Sequence, residues 1–375
     1  MLETTVMIAA PPAAAYDARS NYSALNGLRF LAALGVVAFH YMPATGSAGV
    51  SALVQCGPAA VGFFFLLSGF VLAHRHPSTP RKTAFWWARF VRIYPMYLLA
   101  FLLFLPMAVE KYRDAPIRLP AFAAVLNLFM LQSWTPLSQS WNGPSWSLSV
   151  EAFLYAVFPL LVVTIGRANR RALWCLVAML PAALTVLFCL NVIPAQIWRS
   201  WIGNNPVFWV PVFCLGVSLG LWRSKHADAQ RPVDIPALLV LAGIVLSALY
   251  WPAEFREVFI NGGAILLFAA AIVLCSFRTL LVGRILGNPL MDRLGKASYI
   301  TYMIQSPLWH YFQAAVNGVR HRPLSDTSTS MAEFSMFLVF LLIASLFLDA
   351  CVDEPLRATL NRWGKKPRLR PGQAV

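Results

Sequence analysis

The sequence predicts an all-α, polytopic membrane protein of about ten transmembrane helices plus one short re-entrant or interfacial segment. Two observations lead there. Of the 375 residues, 59% are hydrophobic and 12% charged, about half the charged share of a soluble domain, and the mean hydropathy is +0.63. Apolar runs approaching the roughly 20 residues that cross a bilayer recur along the whole chain, divided by short loops that carry Arg and Lys.

Spans are expected near residues 27–43, 52–73, 94–109, 147–166, 172–193, 206–222, 235–252, 259–277, 297–317 and 332–352. An eleventh apolar stretch, 119–134, is shorter, and the basic loops decide its place. If it crossed, the loop with Arg167, Arg170 and Arg171 and the loop with Arg223, Lys225 and Arg231 would face outward, against the preference of short cytoplasmic loops for Lys and Arg. If it dips in or lies at the surface, 22 of the 30 basic residues fall inside, seven fall outside and Arg29 lies in the first span. Both termini are then cytoplasmic, and the expected location is a bacterial inner membrane. The expected divisions are a disordered N-terminal tail over 1–24, one membrane domain over 25–357 and a basic C-terminal tail over 358–375. Residues 1–20 carry Glu3 and Asp17 in place of a basic leader region, and the run MIAAPPAAA holds two prolines, so no cleaved signal peptide is expected.

Several function classes find no support. The six cysteines lie in or beside apolar segments without a metal-type spacing, so no metal site is expected. The net charge of +15 sits in loops and tail and orients the chain in the membrane; no nucleic acid partner is expected. HExxH, P-loop, GxSxG and strand-linked GxGxxG motifs are absent.

Ionisable side chains in a bilayer cost at least about 2.5–3.5 kcal/mol each, so the few that remain are candidates for function. Glu151, His40 and His310 are the acidic and imidazole groups well inside expected spans. Arg29 and His40 are eleven residues apart on the first span, which at about 100° per residue places both on one helix face. At about 1.5 Å per residue they stand roughly 16 Å apart along the axis. That separation suits a long donor whose phosphates are held by a guanidinium while its carbonyl reaches an imidazole acting as general base. The alternative is a histidine satisfied by a neighbouring helix and an arginine anchoring the interface.

The block WNGPSWSLSVEAFLYAVFP sets Ser147, Glu151 and Tyr155 along one helical stripe. Glu151 is expected to orient His40 as the second member of a dyad, or otherwise to pair with another cation. The loop RKTAFWWARFVRIYP offers Arg81, Lys82, Arg89 and Arg92 beside Trp86, Trp87 and Tyr94, fit to hold nucleotide phosphate and base; an interfacial segment following the charge rule is the alternative. Ser68 and Gly69 permit close helix approach, with a hydroxyl available. Tyr299, Tyr302, Gln305 and His310 share a late span and either line the cavity or serve the membrane core.

The blocks NGLRFLAALGVVAFH, FFFLLSGF, RFVRIYP, GPSWSLSVEAFLYAVFP, LGKASYITYM and DEPLR run in order from about residue 25 to 357. In that order they resemble the acyltransferase-3 family of bacterial integral-membrane acyltransferases. The Arg29–His40 pair matches the family's Arg-x10-His motif, whose histidine is regarded as catalytic. Arg89 and Arg92 match its arginine pair, and Ser68, Trp146, Ser147 and Glu151 fall on other motif positions. The sequence departs from the family at Asn26 and Gly62, where acidic residues are common, and at Gln305, where histidine is frequent.

The resemblance implies transfer of an acyl group, acetyl being the leading candidate, from cytoplasmic acyl-CoA to a sugar hydroxyl of an exopolysaccharide, lipopolysaccharide or lipid-linked oligosaccharide. Together the readings assign His40 and Glu151 to catalysis, Arg29, Arg89, Arg92, Ser68 and Tyr94 to the donor, and Trp146, Ser147, Tyr155 and Tyr302 to substrate binding. No tightly bound cofactor is expected; acetyl-CoA or another acyl-CoA is the donor substrate. The expected partners are membrane lipid, the sugar acceptor and proteins of envelope-glycan assembly. The rivals are acylation of a small glycoside or lipid, and a transporter or flippase without bond chemistry.

Overall fold

The computed structural model describes residues 13–44, 46–78, 82–167, 192, 194, 197, 201–226, 233–252, 256–277, 279–323 and 327–363, with backbone alone over 13–22. Among these, every regular element is a helix: α1 (Ala13–Tyr41), α2 (Ala48–Gln55), α3 (Ala59–Arg75), α4 (Lys82–Leu103), α5 (Leu105–Lys111), α6 (Arg118–Leu128), α7 (Trp146–Arg167), α8 (Pro206–Lys225), α9 (Asp234–Tyr250), α10 (Ile265–Cys275), α11 (Leu281–Leu286), α12 (Pro289–Val319), α13 (Met331–Leu348) and α14 (Glu354–Trp363). Nearly all of the expected span 172–193, the cysteines Cys175 and Cys189, the basic residues Arg81, Arg170, Arg171 and Arg231, and residues 1–12 and 364–375 of the two tails lie outside the described residues.

Four described helical stretches are long and apolar enough to cross a bilayer: Ser23–Tyr41, Gly143–Arg167, Pro206–Lys225 and Met331–Trp363. Two more candidates are bent pairs, α2 with α3 at 43° and α4 with α5 at 48°. The chain is thus a helical membrane protein, and its described spans are less regular than the sequence suggests. The expected span 52–73 breaks at Cys56–Pro58, and 259–277 opens with a π-helical turn over Phe259–Gly263 before the eleven residues of α10. The stretch 119–134 forms α6, 11 residues and so about 16 Å long, well short of the roughly 30 Å hydrocarbon core. A 3-10 turn at Gln132–Trp134 follows it.

The basic segment read as a loop over 81–92 is a correction: α4 starts at Lys82 and runs unbroken through Arg89 and Arg92. No residue between Lys82 and Tyr94 breaks a helix, and the aromatic and aliphatic side chains find neighbours on several sides. Three residues apart, Arg89 and Arg92 share a face, whereas Tyr94, two residues beyond Arg92, points nearly opposite.

Small residues bring the site-bearing helices together. At the crossing of α3 and α8, a Cβ added to Gly69, Gly216 or Gly220 would collide with a backbone carbonyl oxygen of the facing helix, so the two backbones touch at a distance that no side chain permits. Gly295 of α12 does the same against Asn26 of α1. Around these contacts Leu66, Phe70, Phe158, Phe213 and Phe337 are fully buried and form the core. The two cavities described next lie along α1.

Candidate active site

The first cavity, of about 400 Å³, is basic. Arg29, Arg75, Arg89, Arg92, Lys296 and Arg357 line it, drawn from α1, α3, α4, α12 and α14. The carboxylate on its wall is Glu151 of α7. Its Oε1 accepts hydrogen bonds from Ser68 Oγ at 3.1 Å and from the Tyr155 hydroxyl, one turn along the same helix. Arg89 packs its guanidinium against the rings of Phe85 and Tyr155, at 5.7 and 5.8 Å from their centroids, and its Nε is buried without a hydrogen-bond partner. Arg92 sits 5.5 Å from the Tyr299 ring centre and 3.7 Å from Asp353, while Arg357 reaches the same carboxylate at 2.7 Å. Lys296 pairs with Asp292 at 2.6 Å, and Asn26 donates to Asp292 at 2.8 Å. Six cations line one small space, and Arg29 and Arg89 form no ion pair to a described carboxylate; such a set is chemically suited to a multiply charged anion such as a phosphate ester.

The second cavity is wider, about 1440 Å³, and its wall carries His40, Tyr41, Trp146, Trp209, Arg256 and His310 with side-chain amides of Gln55, Asn204 and Asn261. His40 Nδ1 lies 2.8 Å from the Val36 carbonyl oxygen one turn back. A carbonyl can only accept, so Nδ1 carries the proton, and in the neutral ring the lone pair is on Nε2. His310 is held in the same way by Ser306, at 2.7 Å. Aromatic faces among amides and a charged donor suit the stacked, hydroxyl-rich surface of a sugar.

The two cavities share two wall residues, Val61 and Tyr302. Arg29 and His40, set on one face of α1, therefore line different chambers that meet at Val61 and Tyr302. Of the residues read from the sequence, Arg29, Ser68, Arg89, Arg92, Ser147, Glu151 and Tyr155 come together in the basic chamber. His40 and Trp146 come together in the wide one, and Tyr302 borders both.

Two expectations are corrected. Glu151 does not pair with His40: its partners are Ser68 and Tyr155, and the imidazole is oriented by the Val36 carbonyl. The sequence leads to the expectation of a dyad, but Glu151 lines the basic chamber. Tyr94 lines neither chamber; its hydroxyl donates to the Leu128 carbonyl at 3.1 Å and pins the end of α6 to α4. Trp87 likewise bonds the Leu360 carbonyl of α14, at 3.1 Å. Sequence reasoning missed Arg75, Lys296 and Arg357 as chamber residues. Lys296 and Arg357 stand inside the quoted blocks LGKASYITYM and DEPLR, where the charge rule for membrane orientation explained them well enough to hide a second role.

The family model for an acyltransferase domain matches residues 22–349, which include every wall residue of the two chambers except Arg357 of α14. The chain belongs to the acyltransferase-3 family. As a member it is an acyltransferase, built into a membrane by apolar helices. This acyltransferase is 27% identical over 374 residues to acyltransferase MdmB of Streptomyces mycarofaciens, covering 90% of this chain and 92% of that protein. It is 34% identical over 158 residues to protein 2 in the picA locus of Rhizobium radiobacter, covering 36% of this chain and 78% of that one. No solved structure matches it.

Proposed function

We propose that this acyltransferase moves an acyl group, acetyl being the best fit, from cytoplasmic acyl-CoA to a sugar hydroxyl of an envelope glycan, which is an exopolysaccharide, lipopolysaccharide or lipid-linked oligosaccharide. The observation that carries the reading is the pair of chambers meeting at Val61 and Tyr302, one furnished for phosphate and one for a sugar. The donor's phosphates bind Arg29, Arg89 and Arg92, with Arg75, Lys296 and Arg357 completing the cradle. The thioester points past Val61 and Tyr302 toward His40. The protein stands in the bacterial inner membrane with the basic chamber toward the cytoplasm, in keeping with the positive-inside rule.

In the transfer step, His40 Nε2 takes the proton of the attacking sugar hydroxyl as the new O–C bond forms. The C–S bond of the thioester then breaks, and the CoA thiolate leaves and takes up a proton. Glu151 holds Ser68 and Tyr155 in place and offsets part of the positive charge at Arg29, so its role is in the donor chamber. The Gly-Pro turn before α7 sets Trp146 beside the acceptor. Membrane lipid surrounds the protein, and glycan-assembly proteins are the partners that would deliver the acceptor.

The test uses the purified full-length protein in lipid vesicles, with labelled acetyl-CoA and glycan extracted from a deletion strain. Label in the glycan, with one CoA released per acyl group transferred, is the expected result. A deletion strain whose envelope glycans and lipids keep every acyl group would overturn the assignment.

A further inference from the structure

Tyr302 stands in the one place where the two chambers touch, and its surroundings latch it there. Its hydroxyl donates to the Pro144 carbonyl at 3.1 Å and accepts from Ser147 Oγ at 2.9 Å. Pro144 lies on the wall of the wide chamber and Ser147 on that of the basic one, so the hydroxyl is tied to both sides. The ring meets Phe64 edge-on, 6.1 Å between centroids, and the backbone carbonyl of Tyr302 accepts from Gln305 Nε2 at 3.0 Å. Both Tyr302 and Val61 are 6% exposed. They are the two residues that line both the basic chamber and the chamber of His40.

We infer that Tyr302, with Val61 on the same two walls, is the specificity-determining threshold of the enzyme: it admits a short acyl group, bars longer ones and keeps water of the wide chamber off the thioester until an acceptor is in place. This rests on the proposed donor and acceptor assignments. The physical basis is steric. A phenol ring held by two hydrogen bonds and a β-branched side chain leave little space, and the ring must swing aside for the carbonyl to pass. A two-carbon acyl group needs a small displacement; each further methylene adds length within a passage packed with side chains. Should the threshold be cut away, water reaches the thioester. It then attacks the carbonyl, a carboxylic acid forms and the CoA thiol is released without acylating the glycan.

The test compares the wild type with Tyr302→Phe, Tyr302→Ala and Val61→Ala, full length and in lipid vesicles. Three quantities are read: hexanoyl-CoA over acetyl-CoA as donor, CoA release without acceptor, and proton leak across the vesicle membrane. Removal of the ring or of the valine branches is expected to raise the hexanoyl preference by about tenfold or more, since single-methylene discrimination in an apolar pocket spans about 10–200-fold. Acceptor-free CoA release and proton leak rise together with it. Tyr302→Phe keeps the ring but loses both hydrogen bonds; it should retain the acetyl preference while acceptor-free release increases.

Unchanged donor preference and unchanged leak in a folded Tyr302→Ala or Val61→Ala protein would overturn the threshold. If Tyr302→Ala does not fold, Val61→Ala and Val61→Phe decide, the second being expected to slow even acetyl transfer. A wild type that transfers nothing from any acyl-CoA refutes the proposed function instead, and the proton leak of the variants still judges whether Tyr302 and Val61 separate the chambers.

Discussion

Replacement of His40 by Gln separates chemistry from binding. In the structure His40 Nδ1 bonds the Val36 carbonyl, which lies one helical turn back and also serves the helix ladder, so the substitution leaves the backbone of α1 intact. Loss of a general base costs about 10²- to 10⁴-fold in rate, equivalent to about 2.7–5.4 kcal/mol at 1.36 kcal/mol per tenfold. The donor site should barely notice. Arg29 is eleven residues away, roughly 16 Å along the helix, and even two full charges at that distance interact by only about 1 kcal/mol at an effective dielectric constant of 20. The expected outcome is therefore a kcat lower by about two to four orders of magnitude, with the KM for acyl-CoA within a factor of about three. Steady-state assay of labelled acetyl transfer, at matched expression and with matched elution in detergent, gives both numbers. A kcat within tenfold of wild type, or a loss carried wholly by the donor KM, would refute the assignment of His40 as the base.

Glu151→Gln keeps an acceptor for Ser68 and Tyr155 and should leave the pH profile of kcat in place, because Glu151 does not touch His40; a displaced profile would restore a direct coupling. Glu151→Ala deprives both hydroxyls of that acceptor and should lower stability in detergent by about 2 kcal/mol, read as a lower melting temperature than that of the Gln variant. Asp353→Asn leaves Arg92 and Arg357 without the buried carboxylate they share. Breaking such a pair costs about 3–5 kcal/mol when fully buried, so a loss of about 2–4 kcal/mol is expected here together with a several-fold rise in the donor KM. Equal melting and equal KM would show that the cluster neither braces the fold nor positions Arg92. Gly216→Val sets a branched side chain against the Leu66 carbonyl and should prevent α3 and α8 from closing, seen as a loss of folded protein on size-exclusion chromatography.

Each of the quoted blocks contributes residues to a chamber wall. The opening span carries Arg29 and His40 on one face, RFVRIYP carries two cradle arginines, and LGKASYITYM carries Lys296, Tyr299 and Tyr302. Periodicity alone puts Arg29 and His40 on one face about three turns apart, since helix geometry is local and needs no partner. One failure is local, the helix from Lys82 that the sequence reads as a loop, and the pairing of Glu151 is non-local. Glu151 is expected beside His40, yet helix packing sets it in the chamber of Arg29, with Ser68 and Tyr155 as partners. Tyr94 has the right composition for a nucleotide site but turns away once α4 runs as a helix from Lys82.

The sequence by itself determined the solvent and the class of machine: its apolar content demands a bilayer, and its spacing of cation and imidazole follows from the helical repeat. The tertiary structure alone decided that six cations converge on one space, that His40 takes its orientation from a backbone carbonyl, and that Tyr302 and Val61 stand between the two chambers. The first and last of these depend on residues far apart in sequence meeting through helix packing, whereas the His40 contact lies within one turn of α1. The glycines that let α3 lie against α8, and α12 against α1, fix those meetings, and their effect becomes visible only when the helices are together.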